Sequence, residues 1–213
     1  MDPRGRFRRQ RGASALLFTA AGLAVAFIVA LAPAAPDPPQ PPSQIDEAAA
    51  SDAAAAFDRM MQVLTHPRCV NCHPAGDRPH QGNDSHPHRF GVQRGADGHG
   101  APGLTCSTCH QAENNQYSGV PGAPHWHLAP RSMAWEGLSR TEIARSMLDP
   151  QKNGGRSPAA IEEHLTTDLL VLWAFEPGVD HEGNPREAPP VSREAYIAAV
   201  QAWFAAGMPI PEE

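Results

Sequence analysis

Two short segments, Cys69-Val70-Asn71-Cys72-His73 and Cys106-Ser107-Thr108-Cys109-His110, contain all four cysteines of the 213-residue chain. Both have the form Cys-x-x-Cys-His. This spacing is typical of covalent haem attachment, in which the two thiols bond to the haem vinyl groups and the adjacent histidine binds the iron. The sequence therefore predicts two covalently attached haem c groups, held by Cys69, Cys72, Cys106 and Cys109.

Two other interpretations of these cysteines stay open at the level of sequence. Zinc also binds Cys-x-x-Cys pairs, through four cysteines or through two cysteines and two histidines. However, 33 residues lie between Cys72 and Cys106, whereas the common zinc spacing is roughly 15–20 residues. Two disulfides in an oxidising compartment are the other alternative. Haem is preferred, because only haem requires a histidine directly after the second cysteine of both motifs.

The N-terminus predicts export from the cytoplasm. Five arginines in the first 11 residues precede an apolar run up to Leu31, and small residues follow. This order is typical of a secretory signal peptide, but a run of about 19 apolar residues is also long enough to span a bilayer. Residues 1–35 are therefore a signal peptide or an N-terminal membrane anchor, with residues 13–32 as the membrane tether in the second case. Either case places the rest of the chain in the periplasm, soluble or anchored to the inner membrane.

Composition divides the remaining chain into a linker and one domain. The proline-rich residues 36–44 are predicted to be an extended linker, and residues 45–213 are predicted to form a dihaem cytochrome c domain of ordinary size. Removing residues 1–34, which carry a net charge of +4, changes the formal charge from −6 to −10. Such an acidic domain is not expected to bind nucleic acid, and it suits redox partner proteins with a positive docking patch.

Apolar periodicity and capping signals predict helices on both sides of the motifs. An alanine-rich stripe indicates a helix over residues 45–65, which leads directly into the first motif. Three further helices are predicted to begin at the capping residues Ser139, Ser157 and Ser192. The apolar stripe of the second of these continues to Trp173, so a single helix is expected there.

The composition of the segment between the two motifs predicts a long loop. Residues 74–104 are rich in glycine and contain four histidines, and a loop of this length in a compact domain is expected to have a function such as wrapping a cofactor. No alternating apolar run in the chain is long enough to predict a sheet. The expected fold class is therefore all-α, with cytochrome c-like helices and long loops that wrap two covalently bound haems.

The axial iron ligands decide the chemistry. His73 and His110, the motif histidines, are predicted to be the proximal ligands. Two occupied axial positions make an electron carrier, whereas a vacant position permits ligand binding or peroxide chemistry. The candidates for the distal position, in order of preference, are His127 and His88, followed by Met133, His164 and His86. Met133 is equally well explained as an apolar filler residue, and His164 as an ordinary core or surface histidine of its helix.

A resemblance to known proteins goes beyond the two Cys-x-x-Cys-His motifs. It is carried by four segments: residues 66–74, 121–130, 133–137 and 173–178. The most distinctive parts are Trp-His-Leu-Ala-Pro at 126–130 and Met-Ala-Trp at 133–135. Over roughly residues 57–207 the chain resembles a family of short exported dihaem proteins that are often labelled isoquinoline 1-oxidoreductase subunits. The resemblance implies a cytochrome partner of a molybdenum hydroxylase that oxidises N-heterocycles or aldehydes.

The expected function is electron transfer rather than catalysis. The chain is too short to be the hydroxylase, and its four cysteines leave none for iron–sulfur clusters. Its haems are expected to relay electrons from a periplasmic dehydrogenase to a downstream acceptor. Two alternatives stay open: a dihaem peroxidase-like enzyme with one open coordination position, and a haem-based sensor. Only 37 positions separate His73 from His110, which places both haems in one domain.

Overall fold

The structure, a computed structural model, describes residues 44–212. The predicted signal peptide or anchor and linker residues 36–43 lie outside the described residues. Within residues 44–212, no helix combines the length and the apolar character needed to cross a bilayer.

Six α-helices occur in the described part of the chain. They are α1 (Gln44–Leu64), α2 (Pro67–Val70), α3 (Arg140–Leu148), α4 (Pro158–Thr167), α5 (Leu169–Leu172) and α6 (Arg193–Ala205). Four short 3-10 helices cover Arg89–Gly91, Cys106–Thr108, Arg131–Met133 and Trp173–Phe175.

The predicted helix beginnings are confirmed. The first helix lies within one residue of the predicted range at each end. Ser139 and Glu142 form the predicted capping box, in which each side chain accepts a hydrogen bond from the other residue's backbone N–H. Ser157 and Ser192 each cap a helix by accepting a hydrogen bond from the backbone N–H three residues later. These side chains satisfy amide groups that the first turn of a helix leaves unpaired.

The single helix expected from residue 157 to Trp173 is wrong, because the chain breaks at Asp168. This residue has an extended backbone and ends α4. Its carboxylate accepts hydrogen bonds from the N–H groups of Leu170 and Val171 at 2.8 and 3.4 Å, so it begins α5 as an N-cap. The break leaves Leu169 58% exposed rather than in the core.

The all-α prediction is also wrong. The described part of the chain is 42% helical and contains two small antiparallel sheets, each of two strands. The first pairs β1 (His80–Gln81) with β2 (His86–Pro87), and the second pairs β3 (Gly100–Ala101) with β4 (Leu104–Thr105). Strands of two residues cannot show an alternating apolar pattern, so the sequence carried no period-2 signal for them.

A proline–glycine turn explains the second hairpin. Pro102 and Gly103 connect β3 to β4, and Gly103 has a φ of +85°. A turn with proline at its second residue and glycine at its third requires this positive φ, which glycine adopts without steric cost. Residues 74–104, predicted to be one long loop, therefore contain a hairpin whose turn depends on Gly103.

The hydrophobic core lies between α1 and α6, with α3 and α4 packed beside them. Phe57 of α1 and Trp203 of α6 are in contact, with ring centroids 6.0 Å apart. The other fully buried large side chains of this core include Met60, Met61, Ile143, Met147 and Tyr196. Cys69 packs against the same cluster, so the core directly supports the first motif.

Candidate functional site

The first motif lies on the single turn of α2 and the residues after it. The His66 Nδ1 atom accepts a hydrogen bond from the Arg68 N–H at 3.2 Å and caps this turn. Backbone hydrogen bonds from Cys72 to Cys69 and from His73 to Val70 continue the helical path. As a result, both cysteines and the motif histidine line the same cavity.

His73 is held with one ring nitrogen in use and the other free. Its Nδ1–H donates to the backbone carbonyl of Met133 at 2.7 Å. Trp135 stacks on the imidazole with centroids 3.6 Å apart and planes 12° apart, and its backbone N–H donates to the His73 carbonyl at 2.9 Å. Burial lowers the pKa of His73 to about 4. The ring is therefore neutral at physiological pH and can present the Nε2 lone pair to a metal.

The cavity beside His73 has the lining of a cofactor site, because two thiols, imidazoles and apolar side chains share it. Apolar residues of α1, α3, α4 and α5 form one part of the wall, including Leu64, Met147, Ile161, Leu165 and Val171. An apolar group attached to the two cysteines would contact these side chains.

Two of the candidate distal histidines, His164 and His127, line this cavity. His164 lies on α4, and its Nδ1 is 3.2 Å from the Asp168 carboxylate. Burial lowers the pKa of His164, and the Asp168 charge partly opposes that shift. The His127 Nδ1 bonds to the carbonyl of His125 at 2.5 Å, and its ring stacks on His99 with centroids 5.0 Å apart. Each histidine therefore has Nε2 available.

The histidine of the second motif has surroundings similar to those of His73. The 3-10 helix Cys106–Thr108 carries it, and the His110 N–H donates to the carbonyl of Cys106 at 2.9 Å. The His110 Nδ1–H donates to the carbonyl of Pro121 at 2.7 Å. Trp126 stacks on the ring with centroids 4.5 Å apart and planes 6° apart. Burial lowers the pKa of His110 as well. Both motif histidines thus have a carbonyl on Nδ1, a tryptophan on one face and a free Nε2.

His88 lies opposite His110. The centroids of the two rings are 6.1 Å apart and their planes differ by 69°. The Nδ1 of His88 bonds to the carbonyl of Arg89 at 2.8 Å, so Nε2 is free on both rings. A metal ion between two imidazoles separates their centroids by about 6 Å, given metal–nitrogen bonds of about 2 Å and about 1 Å from nitrogen to ring centre. The observed centroid separation is compatible with a metal ion between the two rings.

The other two predicted candidates occupy different positions. Met133 is buried and lies on the Nδ1 side of His73, through its carbonyl; its sulfur accepts a hydrogen bond from the Ser146 hydroxyl at 3.9 Å. His86 lies in β2, with Nδ1 2.7 Å from the Asp84 carboxylate. Among the contacts of residues 44–212, none joins His86 to either motif histidine.

The two motifs are adjacent in space. The Ala129 N–H donates to the Cys72 carbonyl of the first motif at 3.1 Å. The neighbouring Leu128 N–H donates at 2.9 Å to the carbonyl of Gly98, which lies in the segment that leads to the second motif. Trp173, which lines the first cavity, contacts Trp126 edge to face with centroids 4.8 Å apart. Since Trp126 stacks on His110, aromatic side chains connect the two sites.

Sequence reasoning missed four contributors to the site. The carbonyls of Met133 and Pro121 orient the motif histidines, and backbone acceptors leave no trace in residue type. Asp168 could have been found from its position four residues after His164, a spacing that brings side chains together on a helix. Arg68 lines the first cavity and is only 6% exposed. Its Nη2 bonds to Asn83, whereas its buried Nε has no partner.

The described residues contain neither a disulfide nor a preformed cluster of metal ligands. All four cysteines are free thiols, and burial raises the pKa of Cys69 to about 12 and that of Cys72 to about 11. Residues 44–212 contain no group of three or more histidine, cysteine, aspartate or glutamate side chains arranged to hold a metal ion. Comparison with known proteins found no matching family model, no matching curated protein and no matching solved structure.

Proposed function

We propose that this chain is an exported dihaem c-type cytochrome that transfers electrons from a periplasmic dehydrogenase to a downstream acceptor. The observation that carries this proposal is the matched environment of the motif histidines. His73 and His110 each donate Nδ1–H to a backbone carbonyl at 2.7 Å and stack on a tryptophan. A hydrogen bond on the nitrogen that does not bind the metal orients a metal-binding histidine and fixes its tautomer.

In this proposal each site would use two thiols, a proximal imidazole and a second imidazole. The first site would use Cys69, Cys72 and His73, with His164 as the distal ligand. The second site would use Cys106, Cys109 and His110, with His88 as the distal ligand. When bound, haem iron supplies a reversible one-electron couple whose potential depends on the axial ligands, hydrogen bonding and burial.

Arg68 supports haem rather than an uncharged apolar occupant of the first cavity. A buried cation is costly unless an anion compensates it. Within residues 44–212 no carboxylate lies within ion-pair distance of Arg68, although the Glu187 charge is near enough to oppose the lowering of the Arg68 pKa by burial. Burial, followed by the Arg68 charge, lowers the pKa values of Arg186 and His66. The carboxylates of haem propionates are anions of the kind that this basic group would attract.

The second imidazole at each site favours an electron carrier over an enzyme. Occupation of both axial positions leaves no site for peroxide or a gas ligand. His164 approaches from α4 in the apolar wall of the first cavity, and His88 approaches His110 from the loop between the motifs. The imidazoles would then bind iron, the apolar wall would exclude water, and the backbone carbonyls would orient the imidazoles.

The proposed electron donor follows from the sequence resemblance, which implies a molybdenum hydroxylase. Export follows from the basic and apolar N-terminal segment, which lies outside the described residues. The acidic composition of the chain suits a donor or acceptor with a basic docking surface. Mixing the reduced hydroxylase with the oxidised haem protein, and following haem reduction by stopped-flow absorbance, tests the donor directly. A small-molecule reductant of similar potential is the control.

The first test is the electronic absorption and EPR spectra of the haem-loaded protein in both oxidation states. We expect two haems per chain, both low-spin and six-coordinate, with no change on addition of carbon monoxide or peroxide. A high-spin centre or one that binds carbon monoxide would overturn the carrier function in favour of a peroxidase or gas-binding role. A chain that incorporates no haem would overturn the cofactor as well.

A further inference from the structure

Asp168 makes two sets of contacts with its two carboxylate oxygens. Oδ1 accepts hydrogen bonds from the N–H groups of Leu170 and Val171 and caps α5. Oδ2 lies 3.2 Å from Nδ1 of His164, one turn earlier on α4. The helix cap therefore holds the carboxylate in place against the imidazole.

The partner of His164 differs in charge from those of the other three proposed axial ligands. The Nδ1 atoms of His73, His88 and His110 all bond to backbone carbonyls. A carbonyl is neutral, whereas the Asp168 carboxylate carries a full negative charge. Among these four imidazoles, His164 alone is thus paired with an anion.

We infer that Asp168 is a positioning residue that sets the reduction potential of the first haem through His164; this inference rests on the proposed function. The carboxylate places the imidazole proton on Nδ1 and directs the Nε2 lone pair into the cavity. It also makes the imidazole a stronger electron donor, which stabilises ferric over ferrous iron and lowers the potential of that haem.

Aspartate-to-asparagine substitution separates these two contacts. Asparagine is as good an N-cap as aspartate, so Asp168→Asn preserves the beginning of α5 while it removes the charge beside His164. Glu163→Gln is the matched control, because it removes the same charge from an exposed position on the same helix. Asp168→Ser also keeps a capping side chain without a carboxylate, and it replaces Asp168→Asn in the test if that variant does not incorporate haem.

The measurement is a spectroelectrochemical redox titration of the haem-loaded variants, with EPR of the ferric state. We expect Asp168→Asn and Asp168→Ser to favour reduction of one haem by about tenfold, equivalent to an upward shift of about 59 mV for one electron. The other haem should keep its potential. The EPR g-values of the shifted haem should change as well, and Glu163→Gln should leave both potentials as they are in the unmodified protein.

Two results would overturn the inference. Unchanged potentials in Asp168→Asn, with both haems still low-spin, would make Asp168 a helix cap only. Equal shifts in Asp168→Asn and Glu163→Gln would show a general effect of net charge rather than an action through His164. Failure of the proposed function is separate, because it would appear as a high-spin or haem-free protein before any substitution is made.

Discussion

The imidazole rings of His88 and His110 lie with their centroids 6.1 Å apart, although 22 positions separate them in the sequence. Each ring uses Nδ1 for a backbone carbonyl and keeps Nε2 free. This separation is compatible with one metal ion between the two imidazoles. The fold of the segment between the motifs therefore brings His88 beside the histidine of the second motif.

Replacement of His88 tests this pair. We expect His88→Ala to convert one of the two haems to a five-coordinate, high-spin form that binds carbon monoxide, because the alanine leaves the distal position open. His86→Ala is the matched control, since His86 lies two residues away and bonds to Asp84 instead. Absorption and EPR spectra of the two haem-loaded variants measure the outcome. A high-spin haem in His86→Ala but not in His88→Ala would contradict the assignment.

Replacement of His164 tests the distal ligand of the first site. His164 and His127 both line the cavity, but only His164 has a side-chain anion on Nδ1, whereas His127 stacks on His99. We therefore expect His164→Ala to produce one high-spin, carbon monoxide-binding haem and His127→Ala to leave both haems low-spin. The opposite pattern, measured by the same spectra, would assign the ligand to His127.

The residue types and spacings named the motif residues and the distal candidates, but they did not show which candidate lies beside which motif histidine. Those positions depend on the path of the segment between the motifs, which glycine turns and two-residue hairpins determine, and neither produces periodic apolar residues. The break between α4 and α5 at Asp168 also could not be predicted from apolar periodicity. The apolar stripe continues through Leu169 and Leu172, although the Asp168 carboxylate ends one helix and begins the next. Orientation of His73 by the Met133 carbonyl was equally invisible, since any residue can supply a carbonyl.

Gly122 is expected to control the orientation of His110. It follows Pro121, whose carbonyl accepts the His110 hydrogen bond. A Cβ atom at Gly122 would lie 2.2 Å from the backbone oxygen of Glu113 and would force the two segments apart. We expect Gly122→Ala to destabilise the haem-loaded protein by about 1–3 kcal/mol, the usual cost of overpacking, and to alter the spectrum of one haem.

The matched control for Gly122→Ala is Gly76→Ala. A Cβ atom at Gly76 would meet nothing within 4 Å, and its backbone does not have a positive φ. We expect its spectrum and thermal denaturation midpoint to match those of the unmodified protein. Equal effects of the two substitutions would show that steric overlap with Glu113 is not the cause.

Trp203 is expected to contribute most of the aromatic packing between α6 and α1. It is fully buried, contacts Phe57 with centroids 6.0 Å apart, and donates its indole N–H to the Pro209 carbonyl at 2.8 Å. We expect Trp203→Ala to lower the free energy of unfolding by about 3–5 kcal/mol, because it removes a large buried side chain and leaves a cavity.

The control for Trp203→Ala is Gln201→Ala, at an exposed position on the same helix. It should change the free energy of unfolding by less than about 0.5 kcal/mol. Urea denaturation of the haem-loaded variants, followed by far-UV circular dichroism, measures both values. A loss below about 1 kcal/mol in Trp203→Ala would mean that the contact between α1 and α6 does not depend on this ring.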